Sequence, residues 1–451
     1  MLSDFSATPK GQSLQDISLE GNSRNWCSLK LKWLASKITD GSHVSPDTEN
    51  AVIPFVSTRD VRNGRIDFEN CLSTTEESFQ SMFRSGCSPM VGDILYSKDG
   101  TIGRTAIVLD ARRFAVASSL IIIRPNEKRT SSKFLNYALS APSTTSIVDS
   151  YVKGAGLPRL SIQNIQKVSV YVPSLTIQGK ISTFLDRETN KIDQIIQKQE
   201  RLIELLVEKR QAVISHAVTK GLDPTVPMKD SGVEWVGKIP AHWQVKPLKR
   251  ITTSRCDGPF GSGLKSEHYS DEGVRVVRLQ NIRANSFNDS DQAYISVNYS
   301  RELEGHDVKE GDVLIAGLGD DRNLVGRSCI APRGIEPAIV KADCFRFRLN
   351  ILEAVPAFVA MQLSQSAPSD SGTLSSGSTR SRIPLSVMGL RSISLPPLDE
   401  QKEIMYSLQI QLEHFGMLVT KSLRSIELLK ERRSALISAA VTGKIDVREV
   451  A

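Results

Sequence analysis

Cysteine is scarce in this chain: six residues in 451, at positions 27, 71, 87, 256, 329 and 344. No two form a Cys-x-x-Cys pair and no histidine cluster stands near them, so neither a zinc site nor a disulfide framework is indicated and reduced thiols are expected. Long apolar runs are also missing. No stretch of about 18 apolar residues occurs, which argues against a membrane span. Residues 1–25 are rich in Ser, Gly, Asn and Asp and lack the apolar centre of a signal peptide, so a cytoplasmic protein is expected. Several catalytic signatures are absent too. There is no Gly-x-x-x-x-Gly-Lys-Ser/Thr phosphate cradle, no His-Glu-x-x-His zinc helix and no Asn-Pro-Pro-aromatic tetrapeptide. The run from Asp257 to Gly263 superficially matches a glycine-rich cofactor loop, but Thr252–Cys256 and Ser266-Glu267-His268 do not supply the strand and helix such a loop needs. Asp320-Asp321, and Asp289 with Asp291, read as surface turns rather than metal ligands.

What is present is a duplication. Residues 203–219 read IELLVEKRQAVISHAVT and residues 426–442 read IELLKERRSALISAAVT, identical at 12 of 17 positions without a gap. That is too close for chance, so internal repetition organises the chain. The same offset of 223 relates Val172-Pro173-Ser174-Leu175 to Leu395-Pro396-Pro397-Leu398. Upstream, Trp26 pairs with Trp243, Asp40-Gly41 with Asp257-Gly258, and Gly92-Asp93-Ile94-Leu95 with Gly311-Asp312-Val313-Leu314. Each half therefore reads as a diverged globular domain followed by a nearly constant helix.

The constant segments carry a seven-residue apolar repeat: Leu185, Ile192, Gln199, Leu206 and Val213, with Ile195 and Leu202 between them, and Leu408, Phe415, Ser422, Leu429 and Leu436 in the copy. Residues 181–217 predict a rod of roughly 55 Å. An apolar stripe needs a partner, and connectivity makes the copy an antiparallel one. Gln199 and Ser422, the polar residues at equivalent seam positions, are candidates for fixing register. In the globular halves, strands are expected over 52–56, 93–97, 105–109, 120–124, 274–279, 313–316 and 345–349, with helices over 132–140 and 354–364. The expected class is α+β. It comprises a variable segment 1–25, domains over 26–175 and 243–397, helices over 176–221 and 398–446, and a linker over 222–242.

These residues resemble a known family. Lys229-Asp230-Ser231-Gly232-Val233-Glu234-Trp235, continuing to His242-Trp243, is similar to the segment that introduces a recognition domain in Type I restriction-modification specificity subunits. So are Asp40-Gly41-Ser42-His43, Asp257-Gly258-Pro259-Phe260-Gly261-Ser262, Arg278-Leu279-Gln280-Asn281-Ile282, the loop 97–104, Pro158-Arg159-Leu160-Ser161 and Pro397-Leu398-Asp399-Glu400-Gln401. One departure concerns the first helix, where Leu175-Thr176-Ile177-Gln178 replaces the acidic-Gln pair of the second half, leaving its start with the weaker signal. The resemblance implies two target-recognition domains, a coiled-coil spacer, two methyltransferase subunits and, in the restriction form, two translocating nuclease subunits. It implies a non-catalytic reader of double-stranded DNA with no cofactor of its own, S-adenosylmethionine being expected on the methyltransferase partners. Readings from other classes are a self-contained methyltransferase or nuclease, which the missing motifs disfavour, and a coiled-coil scaffold without a DNA role. Lys and Arg at 57 against 50 for Asp and Glu favour a polyanionic partner over that scaffold.

Reading DNA needs donors for base edges and cations for phosphates. Lys98, Thr101 and Arg104 lie in a glycine-containing loop, and Arg322, Asn323 and Arg327 lie in its counterpart. Lys153 with Arg159, and Arg380 with Arg382, precede matching strands, while Arg278, Gln280 and Asn281 belong to a family-like segment. All thirteen are candidate DNA contacts.

Overall fold

The computed structural model describes residues 26–447 except 63, 153–157, 261–262, 321 and 374–380. The chain divides into two compact units: one runs to Glu200 and resumes at Leu423, the other is Arg201–Ser422. Each is α+β, and each contains the start of one long helix and the end of the other.

In the first unit, Ala35–Asp40, Leu120–Pro125, Ile94–Ser97 and Thr105–Ile107 form an antiparallel sheet in that order. Its centre is the run Leu-Ile-Ile-Ile, fully buried because both faces are covered. A second sheet sets Ile53–Val56 between Leu72–Thr74 and Ala115–Val116. The helix Ser132–Ser140 begins where Ser131 accepts the Phe134 N–H and ends before Pro142. In the second unit Thr252–Cys256, Cys344–Leu349, Val313–Ala316 and Ser328–Ile330 repeat the four-stranded order, so Thr252–Cys256, against expectation, is a strand, held at the sheet edge by Cys344–Leu349. The expected strand over 274–279 stops at Val277, because the Arg278 N–H turns to the Asn281 side chain. The expected helix over 354–364 runs Pro356–Thr373, opened by proline in its first turn.

The two long helices, α1 (Leu175–Lys220, 46 residues) and α2 (Leu398–Val441, 44 residues), are each continuous. α1 extends past the apolar repeat at both ends, and its start is as well made as that of α2. The fully buried Gln178 accepts the Ser131 N–H and donates to the carbonyls of Arg129 and Pro173. Gln401, its equivalent, accepts the Val355 N–H and donates to Glu353 and Pro396. The glutamine common to both halves, not the acidic residue before it, anchors each helix. A tryptophan closes the other end: Trp26 packs on Gly443 and Trp243 on Gly221, and in each case the glycine takes a positive φ.

Within the first unit α1 and α2 run antiparallel. Ile181 and Leu185 share a core with Ile437, Ala440 and Val441, while Asp193 accepts from Arg433 at 3.0 Å. The seam differs from expectation in one respect. Leu185 and Ile192 are buried, but Ile195 and Leu202 are exposed at 44% and 42%. The companion row is Thr189, Ile196 and, half-buried, Ile203. Residues three and four positions on lie to either side of the first, and the sequence offers isoleucine at both 195 and 196, so packing chose between them. Ser422 is buried in its unit and Gln199 half-buried in the other.

Candidate nucleic-acid interface

The Asp-Gly pairs shape the surface from beneath. A methyl group on Gly41 would fall 2.1 Å from the Ala117 oxygen, and one on Gly258 2.1 Å from the Lys341 carbonyl carbon. Only glycine lets these strand ends cross so closely. The glycines at 41 and 258 therefore serve backbone packing.

In the first unit Lys98 is buried, and its ammonium lies 2.6 Å from Asp40. The Lys98 carbonyl accepts the Leu160 N–H, which draws the loop 98–104 against Arg159. Arg159 is exposed and grips Asp99 through two N–H donors, at 2.8 and 3.3 Å, and that pairing raises its pKa. Thr101 is exposed, and Arg104 is half-buried with no side-chain ion pair or hydrogen bond among the described residues. Lys98 thus braces the loop that presents Thr101, Arg104 and Arg159. Lys153 and Arg380 lie outside the described residues.

The second unit keeps the frame and changes the chemistry. Gly317 stands where Lys98 does, and its carbonyl accepts the Ile383 N–H just as that of Lys98 accepts Leu160. With no lysine beside it, Asp257 is pushed up to about 6, chiefly by burial, with the neighbouring Asp343 adding to the shift and hydrogen bonds from the Gly258 and Asp343 N–H groups opposing it. Arg382 pairs with Asp343 at 2.8 Å and stacks 5.3 Å over the exposed ring of Phe260. Arg327 is buried, and its guanidinium donates to the carbonyls of Leu279, Ile282, Leu318, Asn323 and Leu324, tying two loops together. Burial lowers its pKa. Arg278 is paired with Asp291 and Asn281 is fully buried, whereas Gln280 and Arg322 are exposed. Asp320 accepts from the backbone of Arg322 and Asn323, turning the loop so that the Asn323 side chain meets Arg283 at 2.5 Å.

The structure thus brings Lys98 and Arg159 together in one unit, and Asn323, Arg327 and the 278–283 segment in the other. It also shows exposed cations that the sequence reading passed over: Arg59, Arg62 and Arg65 in one unit and Arg283 in the other. They flank tight hairpins, and the Asn-Gly dipeptide at 63–64 between short apolar-basic runs was the available signal. Among the described residues no group of His, Cys, Asp or Glu is placed to hold a metal, and no helix is long and apolar enough to cross a membrane.

Residues 26–205 match the family described as the Type I restriction modification DNA specificity domain. The chain is 25% identical over 210 residues to the Type I restriction enzyme EcoKI specificity subunit of Escherichia coli K12, covering 46% of this chain and 44% of that protein. It is 23% identical over 412 residues to the EcoBI specificity subunit of Escherichia coli, covering 89% and 82%. The match thus spans under half of the first relative and most of the second. A solved structure titled for complex assembly and conformational transition of the type I R-M system shares the fold at 15% identity, with a TM-score of 0.64, covering 93% of this chain and 98% of that one. By these matches residues 26–205 are similar to the Type I restriction modification DNA specificity domain, and the chain, with its repeated α+β unit and two long helices, is similar to Type I restriction enzyme specificity subunits.

Proposed function

We propose that this chain is the non-catalytic DNA-sequence reader of a Type I restriction-modification complex in the cytoplasm. Each unit reads one segment of a bipartite site, and α1 and α2 hold the readers apart. Two methyltransferase subunits, carrying S-adenosylmethionine, dock on the helical segments, and two nuclease-translocase subunits join in the restriction form. The observation that carries this reading is the repeat itself: two units with one strand order and different exposed side chains, joined to helical segments that are nearly identical. Diverged surfaces suit two different half-sequences, and like helices suit two copies of one partner.

The purified chain is expected neither to methylate nor to cleave DNA, while addition of the partner methyltransferase restores modification at a bipartite site. Turnover by the chain alone, freed of every partner, overturns the assignment. Binding to duplex DNA that weakens steeply with salt separates the reader from a scaffold.

A further inference from the structure

Each unit carries a small hairpin, and the two copies share a strand pairing and two anchoring hydrogen bonds. In the first unit Val61–Arg62 pairs with Arg65–Ile66; in the second Ile282–Arg283 pairs with Ser286–Phe287. Two anchoring bonds recur in both. Asp60 accepts the Ser57 N–H at 2.8 Å, and its own carbonyl accepts the Asp67 N–H at 2.8 Å. Asn281 accepts the Arg278 N–H at 2.7 Å, and its carbonyl accepts the Asn288 N–H at 2.7 Å. Both anchors are buried, as are Val61 and Ile282. Each turn has its second residue at positive φ, Gly64 at +74° and Asn285 at +62°. Of the exposed positions one matches, Arg62 with Arg283, and two do not. Where the first hairpin carries Arg59, Arg62 and Arg65, the second carries Gln280, Arg283 and Ser286.

We infer that these hairpins are the base-reading elements of the two units, with Arg62 and Arg65 choosing bases for one half-site and Gln280 and Arg283 for the other. The inference rests on the DNA-reading function proposed above. Three observations carry it. First, a preserved backbone frame whose buried residues change conservatively, Asp60 to Asn281 and Val61 to Ile282, while exposed Arg59 and Arg65 give way to Gln280 and Ser286, is what two readers of different sequences require. Second, Arg62 and Arg65 sit directly opposite each other across the strands, and among the described residues neither is in an ion pair, the Asp67 carboxylate being close enough to Arg62 only for its pKa to be lowered in part by that charge. Like charges in that position oppose folding, so their benefit lies with an anionic or acceptor-rich ligand. Third, the guanidinium groups are held ready. Arg62 donates through Nε to the Arg59 carbonyl, leaving its two terminal nitrogens free, and Arg283 is held by Asn323. A two-stranded ribbon fits the major groove of B-DNA, where a guanidinium fork meets the two acceptors of guanine and a glutamine amide those of adenine.

The test uses the full chain assembled with its methyltransferase partner. Methylation mapping first defines the wild-type site, and binding is then measured to duplexes with one or the other half-site scrambled. For Arg62→Gln/Arg65→Gln, scrambling the first unit's half-site should no longer matter, a loss of about 5- to 150-fold in discrimination per base-reading arginine. Scrambling the other half-site should cost what it costs the wild type. Arg283→Gln should give the mirror result, and the Arg→Lys variants should keep affinity and salt dependence while losing discrimination. Melting temperatures should not fall below wild type, since the altered side chains are exposed and Arg62→Gln/Arg65→Gln removes a like-charge pair. Discrimination unchanged in the Gln variants, or reduced equally at both half-sites, overturns the hairpin assignment and leaves the reader function standing. A wild-type complex that shows no bipartite preference overturns both.

Discussion

Asp40 and Asp257 occupy the same place in the two units, yet one faces a lysine and the other a glycine. Asp257 is raised to about 6 from an ordinary 3.8, so the folded state binds more protons than the unfolded one between those values. Stability therefore falls as pH rises through that window, and the cost is fully present above about pH 6. Asp257→Asn keeps an oxygen for the Gly258 and Asp343 N–H groups and removes the charge beside Asp343. Its melting temperature is expected to exceed that of wild type at pH 7 to 8 and to converge with it near pH 4; a difference that persists unchanged at pH 4 would refute the ionisation argument. Gln178 makes a complementary prediction. Gln178→Ala leaves the Ser131 N–H and two carbonyls without their amide partner in a buried position, so denaturant titration should show a loss of about 1–3 kcal/mol. Gln401→Ala should behave alike.

At the scale of the element, the long helices show how a seam is selected. Ile195 and Ile196 are neighbours of equal hydrophobicity, but Ile196 is 9% exposed and Ile195 44%. Ile196→Ala is expected to destabilise by about 2 kcal/mol or more, as large-to-small changes in a core do. Ile195→Ala should stay within about 0.5 kcal/mol of wild type, as surface changes do. Equal effects in urea titrations would restore the seam through 195 and 202. The pair between Asp193 and Arg433 joins the antiparallel helices beside this seam and adds little stability, because both groups remain partly solvated.

For the whole molecule, function follows from connectivity: α1 is one unbroken helix that leaves the first unit and enters the second. Exchanging residues 26–173 for the same region of a relative is expected to change one half of the methylated sequence only, read by mapping modified sites. Four residues inserted between Glu200 and Val207 add roughly 6 Å of rise and about 40° of rotation, keeping the apolar stripe nearly in phase. With a matching insertion between Leu423 and Lys430, the unread gap should lengthen by one or two base pairs at about 3.4 Å each, with both half-sequences unchanged. Methylation retained at the original gap would show that the helices do not set the spacing.

The sequence by itself determined the duplication, the two long helices and the strands Ile94–Ser97, Leu120–Pro125 and Val313–Ala316, because each is written locally, as a repeat, an apolar period or a buried β-branched run. The boundary at Gln178 was written there as well, in the glutamine shared with position 401, but its meaning needed the buried backbone groups that it satisfies. Tertiary structure alone decided which apolar row of α1 faces inward, since that depends on what packs against it. It also decided that Lys98, Asn281 and Arg327 are buried braces while Arg62, Arg65 and Arg283 are presented to solvent. A cation's role is fixed by partners distant in sequence, Asp40 for Lys98 and five carbonyls for Arg327, and residue type does not encode them.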